Sequence, residues 1–283
     1  MRLRILLLTL SFFLLGAAAA PVLAQSVIPG PKLKPKLKPK PRPAKPRTNK
    51  PSASRQLPPV IKQLVANMVR VEGGTFTMGA TSEQGSDASF DEKPTHQVTL
   101  STFYIGKYEV TQAEWQAVMG TNPSRFKGDN LPVENVSWYD CRKFIRKLNE
   151  LTGKQFRFPT EAEWEYAARG GNKSNRTKYA GGGDIDNVAW YEENSNKTTH
   201  PVGQKRPNEL GLYDMSGNVW EWCQDWYGDY SSASQTNPQG PATGTFRRLR
   251  GGSWCDDARG CRLSCRHFCY PDIGNIFGLR LAL

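Results

Sequence analysis

Pro159-Thr160-Glu161-Ala162-Glu163-Trp164-Glu165-Tyr166-Ala167-Ala168-Arg169, followed at once by Gly170-Gly171, is the last stretch of this 283-residue chain that reads as a helix. Thr160 with Glu163 three residues on forms a capping box, in which hydroxyl and carboxylate each accept a backbone N–H that the first turn leaves unpaired. Beyond Gly171 there are only short apolar runs among Gly, Asn, Asp and Pro. Such a region cannot build a core from repeated regular elements. It must plug its interior with aromatics and satisfy its carbonyls through local contacts or ions.

Toward the N-terminus the chain is more regular. Thr111 to Met119 reads as a helix with a second capping box, Thr111 with Glu114. Ser137 to Leu151 reads as a third, with Trp138, Cys141, Phe144, Ile145 and Leu148 on one face, Arg142, Lys143, Arg146 and Lys147 on the other, and Gly153 to stop it. Met68-Val69-Arg70-Val71 and Thr75-Phe76-Thr77-Met78 read as two short strands around a Gly73-Gly74 turn, while His96 to Leu100 and Phe103 to Gly106 alternate like further strands. Glu83 to Lys93 reads as an acidic surface loop. The prediction is an α+β domain, loop-rich and with little regular secondary structure.

Met1 to Arg4 carries two arginines, Ile5 to Leu15 is nearly all apolar, and small residues lead to Val22-Leu23-Ala24. This is the pattern of a secretory signal at residues 1–24, and its apolar stretch is shorter than the roughly 20 residues needed to span a bilayer. The expected location is therefore exported: periplasmic, cell-envelope or secreted. Residues 25–65 read as a disordered linker, in which Lys32 to Pro43 repeats Lys and Pro and should be extended. It is either a passive spacer or a contact with an anionic envelope surface.

The formal charge of +12 belongs mostly to this tail, because residues 1–50 hold 11 Lys/Arg and no acid. The remainder has 38 − 11 = 27 Lys/Arg against 26 Asp/Glu, a net of +1. A near-neutral domain at 66–283 argues against a nucleic-acid partner and leaves a polypeptide or protein partner. Six cysteines, at 141, 223, 255, 261, 265 and 269, are candidate disulfides in an exported protein. Cys141 and Cys223 lie in apolar surroundings and read as buried or bridged.

Asp214-Met215-Ser216-Gly217-Asn218-Val219-Trp220-Glu221 spaces two carboxylates around a turn whose carbonyls, at Gly217 and Val219, can point inward. Calcium takes six to eight such oxygens, so Asp214, Gly217, Val219 and Glu221 are candidate ligands. The alternative is that Asp214 and Glu221 cap local turns.

Six segments together resemble the signatures of the formylglycine-generating enzyme, or sulfatase-modifying factor, family. They are Gly73–Gly79, Tyr108–Thr111, Pro132–Trp138, Arg157–Glu165, Gly217–Trp222 and Arg250-Gly251-Gly252-Ser253-Trp254, in family order. The resemblance implies a C-type-lectin-like fold and structural calcium, with a second calcium site at Asn187, Val188, Asn194 and Asn196. It also implies copper(I)-dependent oxidation of a substrate cysteine in a sulfatase to formylglycine, with copper held by two cysteines; thiolates suit that soft ion. Counting from Gly251, the eleventh residue, Cys261, matches the family pair, whereas the sixth is Asp256. Cys255 lies one position early, and a Cys255–Cys261 copper site would need a one-residue bulge. Otherwise Cys255, Cys261, Cys265 and Cys269 form disulfides or stay free. Ser253 and Trp220 match active-site positions, although Trp220 reads equally as a core aromatic. Two functions of different class follow: a copper-dependent oxidase using Cys261, or a non-catalytic, calcium-stabilised binding or scaffold module that has lost the copper pair.

Overall fold

The structure, a computed structural model, describes residues 56–283. The signal segment and residues 25–55 of the linker lie outside the described residues. The domain starts earlier than residue 66, because helix α1 (Pro59–Ala66) occupies what the sequence reading assigns to the linker. Pro59 sits in the first turn, where its missing N–H costs nothing, and Ile61 and Leu64 are buried in the core. The Lys/Pro composition upstream masks this short amphipathic pattern.

Strands β1 (Met68–Val71) and β2 (Gly74–Met78) form where expected but do not pair with each other. The β1 strand pairs antiparallel with β4 (Phe103–Gly106), and β2 with β3 (His96–Leu100). Gly73 crosses the backbone of Leu100 to Thr102 so closely that any Cβ there would collide with it. That close crossing sends the two strands to different sheets.

Helices α2 (Gln112–Met119), α3 (Trp138–Thr152) and α4 (Glu161–Ala168) each begin at a complete capping box, at Thr111, Ser137 and Thr160. Gly120 and Gly153 close the first two in left-handed conformations, at φ 81° and 69°. Beyond α4 the strands are short: β5 (Trp220–Trp226), β6 (Gln235–Thr236), β7 (Arg247–Arg250), β8 (His267–Cys269) and β9 (Phe277–Gly278). They give a four-stranded sheet in the order β8-β7-β5-β9, while β6 extends the β2-β3 pair. Aromatics fill the space between loops: Trp115 stacks on Phe144 with centroids 4.9 Å apart, and Trp138 stacks on Phe158 at 4.9 Å. Among the described residues no helix is long and apolar enough to cross a membrane.

The helix α4 is buried along its whole length, carboxylates included. Glu161 receives Arg266 through Nε and Nη2, both at 2.7 Å, and Glu165 pairs with Arg250 and with Arg169. Burial opposes the charge on Glu161, yet Arg266, Arg248 and Arg250 hold its carboxyl far below the ordinary carboxylate range. The segment read as a surface loop joins this network: Glu92 is fully buried and receives Arg262 at 2.6 and 2.8 Å. A run of acids looks solvated in sequence, and only the arginine 170 residues away shows that it is not.

Removing one partner leaves a buried charge uncompensated. Arg250→Met should therefore cost about 3–5 kcal/mol in urea unfolding. Asp257→Ala, which removes an exposed pair with Arg259, should change stability by less than about 0.5 kcal/mol. Equal losses from the two variants would show that the buried network is not what holds α4.

Candidate functional site

The β7 strand ends at Arg250, and Gly251-Gly252 turns the chain at φ 104° and 78°, where only glycine is at ease. A Cβ on Gly252 would lie 2.8 Å from the Cys261 Sγ, so this turn is pressed against Cys261. It delivers Ser253 fully buried and leaves Asp256 half-buried. The Trp220 indole N–H, from β5, donates to the Asp256 Oδ2 at 2.9 Å, and the Ser253 hydroxyl donates to the same oxygen. His267 lies beside Trp220 with ring centroids 5.1 Å apart.

The structure brings Trp220, Ser253 and Asp256 together and separates the two candidate copper thiols by environment. Cys261 is fully buried in a small cluster with Tyr179, Val188, Ala189 and Tyr191, and burial together with Asp256 pushes its thiol well above the ordinary value. Cys255 is exposed, its Sγ 3.5 Å from the Ser253 Oγ, and burial of its inner side still raises its thiol. The residue aimed at Trp220 and Ser253 is a carboxylate, a hard donor ill suited to copper(I). The donor set therefore does not fit the ion. All six cysteines are free thiols, with Cys141 and Cys223 fully buried.

The run Asp214–Glu221 is a buried polar cluster centred on Arg280. Arg280 donates to both oxygens of Glu221, at 2.6 to 3.0 Å, and the Trp164 indole N–H adds a 2.6 Å bond. Both Glu221 oxygens are thus taken. Asp214 accepts from the Gly203 N–H at 2.7 Å, and Glu109 accepts from Asn218 Nδ2 and the Val219 N–H. Sequence reading quoted Glu109 only as part of a motif. Three buried carboxylates here face one guanidinium, so the charges do not balance. Burial pushes Asp214 up to about 6, and burial with Asp214 and Glu221 raises Glu109 well above the ordinary range. In charge the cluster suits a cation; in geometry Asp214 rather than Glu221 is the carboxylate left to serve one.

At the second candidate calcium site, Asn187 donates to Asp184 at 2.7 Å, while Asn194 accepts from the Tyr191 N–H and donates to Asp186 and the Ala189 carbonyl. Val188 is buried and Asn196 is exposed with φ 53°. The amides are used within their own loop, and the nearby carboxylate, Asp186, was not singled out in the sequence. Among the described residues no three His, Cys, Asp or Glu side chains converge as a metal-binding group.

The profile of the sulfatase-modifying factor enzyme 1-like domain matches residues 53–283. The chain belongs to that family. Among its family relatives, the chaperone protein LppX of Paenibacillus barcinonensis is 38% identical over 248 residues, covering 70% of this chain and 82% of that protein. The formylglycine-generating enzyme of Streptomyces coelicolor is 33% identical over 258 residues, 67% of this chain and 79% of the enzyme. The serine/threonine-protein kinase pkn1 of Chlamydia pneumoniae is 33% identical, but the match spans only 39% of its length. Among solved structures, Treponema denticola variable protein 1 superposes with a TM-score of 0.69 at 35% identity, over 76% of this chain and 94% of that one. PvdO from Pseudomonas aeruginosa gives 0.66 at 29%, over 76% and 93%. The family domain thus carries the α+β, loop-rich fold expected from the sequence.

The surplus charge around Asp214 has a pH signature. Its folded pKa, about 6, lies above the ordinary 3.8, so between about pH 4 and 6 the folded state binds more protons than the unfolded one. The Asp214 contribution to stability therefore falls as pH rises through that window, by about 2–3 kcal/mol. Denaturant titrations from pH 4 to 7 should show Asp214→Asn gaining on the parent as pH rises. A constant difference between the two would remove Asp214 as the source.

Proposed function

We propose that this chain is an exported member of the sulfatase-modifying factor family that binds a polypeptide without oxidising it. The observation that supports this is Asp256: its carboxylate, held by the Trp220 indole and the Ser253 hydroxyl, stands where the family oxidase has a copper-binding cysteine. At position 256 a hard carboxylate replaces one of the two thiolates that suit copper(I). What the site offers instead is a half-buried acceptor flanked by Trp220 and His267, able to take N–H donors from an extended chain. The likeness to a relative named as a chaperone supports a polypeptide client. Export follows from the residue 1–24 pattern, and attachment of the Lys/Pro tail to an anionic surface belongs to the same reading.

The rival reading, an oxidase using Cys255 with Cys261, draws on the 3.5 Å contact of Cys255 with Ser253 and on the identity to formylglycine-generating enzymes. One assay separates them. The mature chain is reconstituted with copper(I) under reducing conditions and mixed with a Cys-x-Pro-x-Arg peptide. Mass spectrometry should show an unchanged peptide and the protein should retain no stoichiometric copper. Conversion of the peptide, abolished by Cys261→Ser, would overturn the binding-only reading.

Calcium is proposed at Asp214 with the carbonyls of Gly217 and Val219, where it would relieve the surplus of buried negative charge. Adding calcium to chelator-treated protein should raise the Tm of the parent and leave Asp214→Asn unmoved. An equal response in both proteins would place the ion elsewhere.

A further inference from the structure

A cavity of about 340 Å³ opens near the N-terminal end of α4, in a part of the fold that shares no lining residue with the Ser253–Asp256 site. The volume lies at the low end of the roughly 300–1,000 Å³ typical of small-ligand sites. Its walls include Asp225 and Trp226 from the end of β5, Tyr230, Gln235, Gln239 and Gly240. Asp225 is only 4% exposed. Its Oδ2 accepts the Glu161 N–H at 2.8 Å, and no other residue's donor reaches the carboxyl among the described residues.

The neighbouring arginines pair with other groups and none forms an ion pair with Asp225 among the described residues, although Arg247 Nε and Arg248 Nε carry no hydrogen bond. Arg266 places Nε and Nη2 on Glu161 and Nη1 on the Asp91 carbonyl. Arg250 is held by Glu165 and by the carbonyls of Leu263, Ser264 and Cys265. Arg247 lies over the Trp226 ring, 3.4 Å from its centroid, and donates to the Gln224 carbonyl. Arg248 approaches Glu161 at 3.4 Å and Asp91 at 3.8 Å. Asp225 is left as a buried carboxyl without a counter-charge, and burial and Glu161 push it up to about 7.

The loop facing it keeps the carboxyl clear. Gly240 has φ 68°, and a Cβ there would lie 2.9 Å from the Asp225 Cβ and 3.0 Å from Oδ1. A buried acid with one free oxygen, a glycine in front of it and an open cavity beside it form a receptor for a positively charged donor.

We propose that this cavity binds an organic cation bearing N–H donors, a primary ammonium or a guanidinium, whose charge is met by Asp225. The cation comes either from a free small amine or from a lysine or arginine side chain of a partner polypeptide; the chemistry at Asp225 is the same. The site is independent of polypeptide binding at Asp256.

The test uses the mature full-length chain and isothermal titration with N-acetyl-lysine methylamide and N-acetyl-arginine methylamide. The uncharged isostere N-acetyl-norleucine methylamide serves as the comparison. Both cationic probes should bind, the norleucine probe at least about tenfold more weakly, a difference of the size one buried charge contact supplies. Asp225→Asn and Gly240→Ala should each weaken the lysine probe by at least tenfold, and Asp256→Ala should not. A readout on the unaltered protein guards against variants that misfold: the Trp226 indole N–H resonance should shift with the lysine probe and not with the norleucine one. A lysine-containing hexapeptide binding tenfold more tightly than the single residue identifies a polypeptide source, and equal affinity identifies a free amine. Equal binding of lysine and norleucine probes overturns the proposal, as does full affinity in folded Asp225→Asn or no binding of either cation at millimolar concentration.

Discussion

The fold depends on arginine–glutamate pairs sealed away from water. Arg248, Arg250 and Arg280 are among the largest fully buried side chains, and each faces a carboxylate on another element. In a chain whose second half has only short strands, few backbone ladders exist to fix one loop against the next. A buried guanidinium does that work because its fork of donors must be filled in specific directions. Arg250 reaches Glu165 on α4 and the carbonyls of Leu263, Ser264 and Cys265, so it ties a helix, a strand and a loop at one point. Desolvating such a pair offsets much of its Coulombic gain, so its contribution is greater in register than in net stability.

This constraint also sets the candidate site. Arg250 is the last residue of β7, and the Gly251-Gly252 turn follows immediately, pressed against Cys261. Glu221 lies one residue past Trp220 on β5 and is clamped by Arg280 and Trp164. Trp220 and Ser253 thus lie within a few residues of ion-paired side chains along the chain, and both donate to Asp256.

What could be read from the sequence was local. Thr111, Thr160 and Ser137 announced their helices because a cap needs only residues within one turn, and Cys141 and Cys223 could be placed in the core from their apolar neighbours. The burial of Glu92, Glu161 and Glu165 could not be read, since a glutamate on a helix or in a loop looks solvated until its arginine is found far along the chain. The partners of β1 and β2 are not legible for a related reason: a Gly-Gly pair marks a turn between two strands, and only the structure shows that Gly73 serves a close crossing of backbone. Helix α1 was hidden by the composition of the tail before it. At the site, counting from Gly251 singles out Asp256 and Cys261, but only the structure shows that Asp256 takes the inward place while Cys255 faces solvent.

The residues that hold this architecture and those that would carry the family's oxidation are different residues. Glu161, Glu165, Glu221, Arg250 and Arg280 make no contact that depends on a thiol at position 256, and Asp256 finds its own donors in Trp220 and Ser253. A chain with this scaffold can exchange a copper ligand for a carboxylate and leave every pair of the buried network in place. The same independence leaves surplus carboxylates at Asp214 and Asp225, which burial raises above the ordinary range.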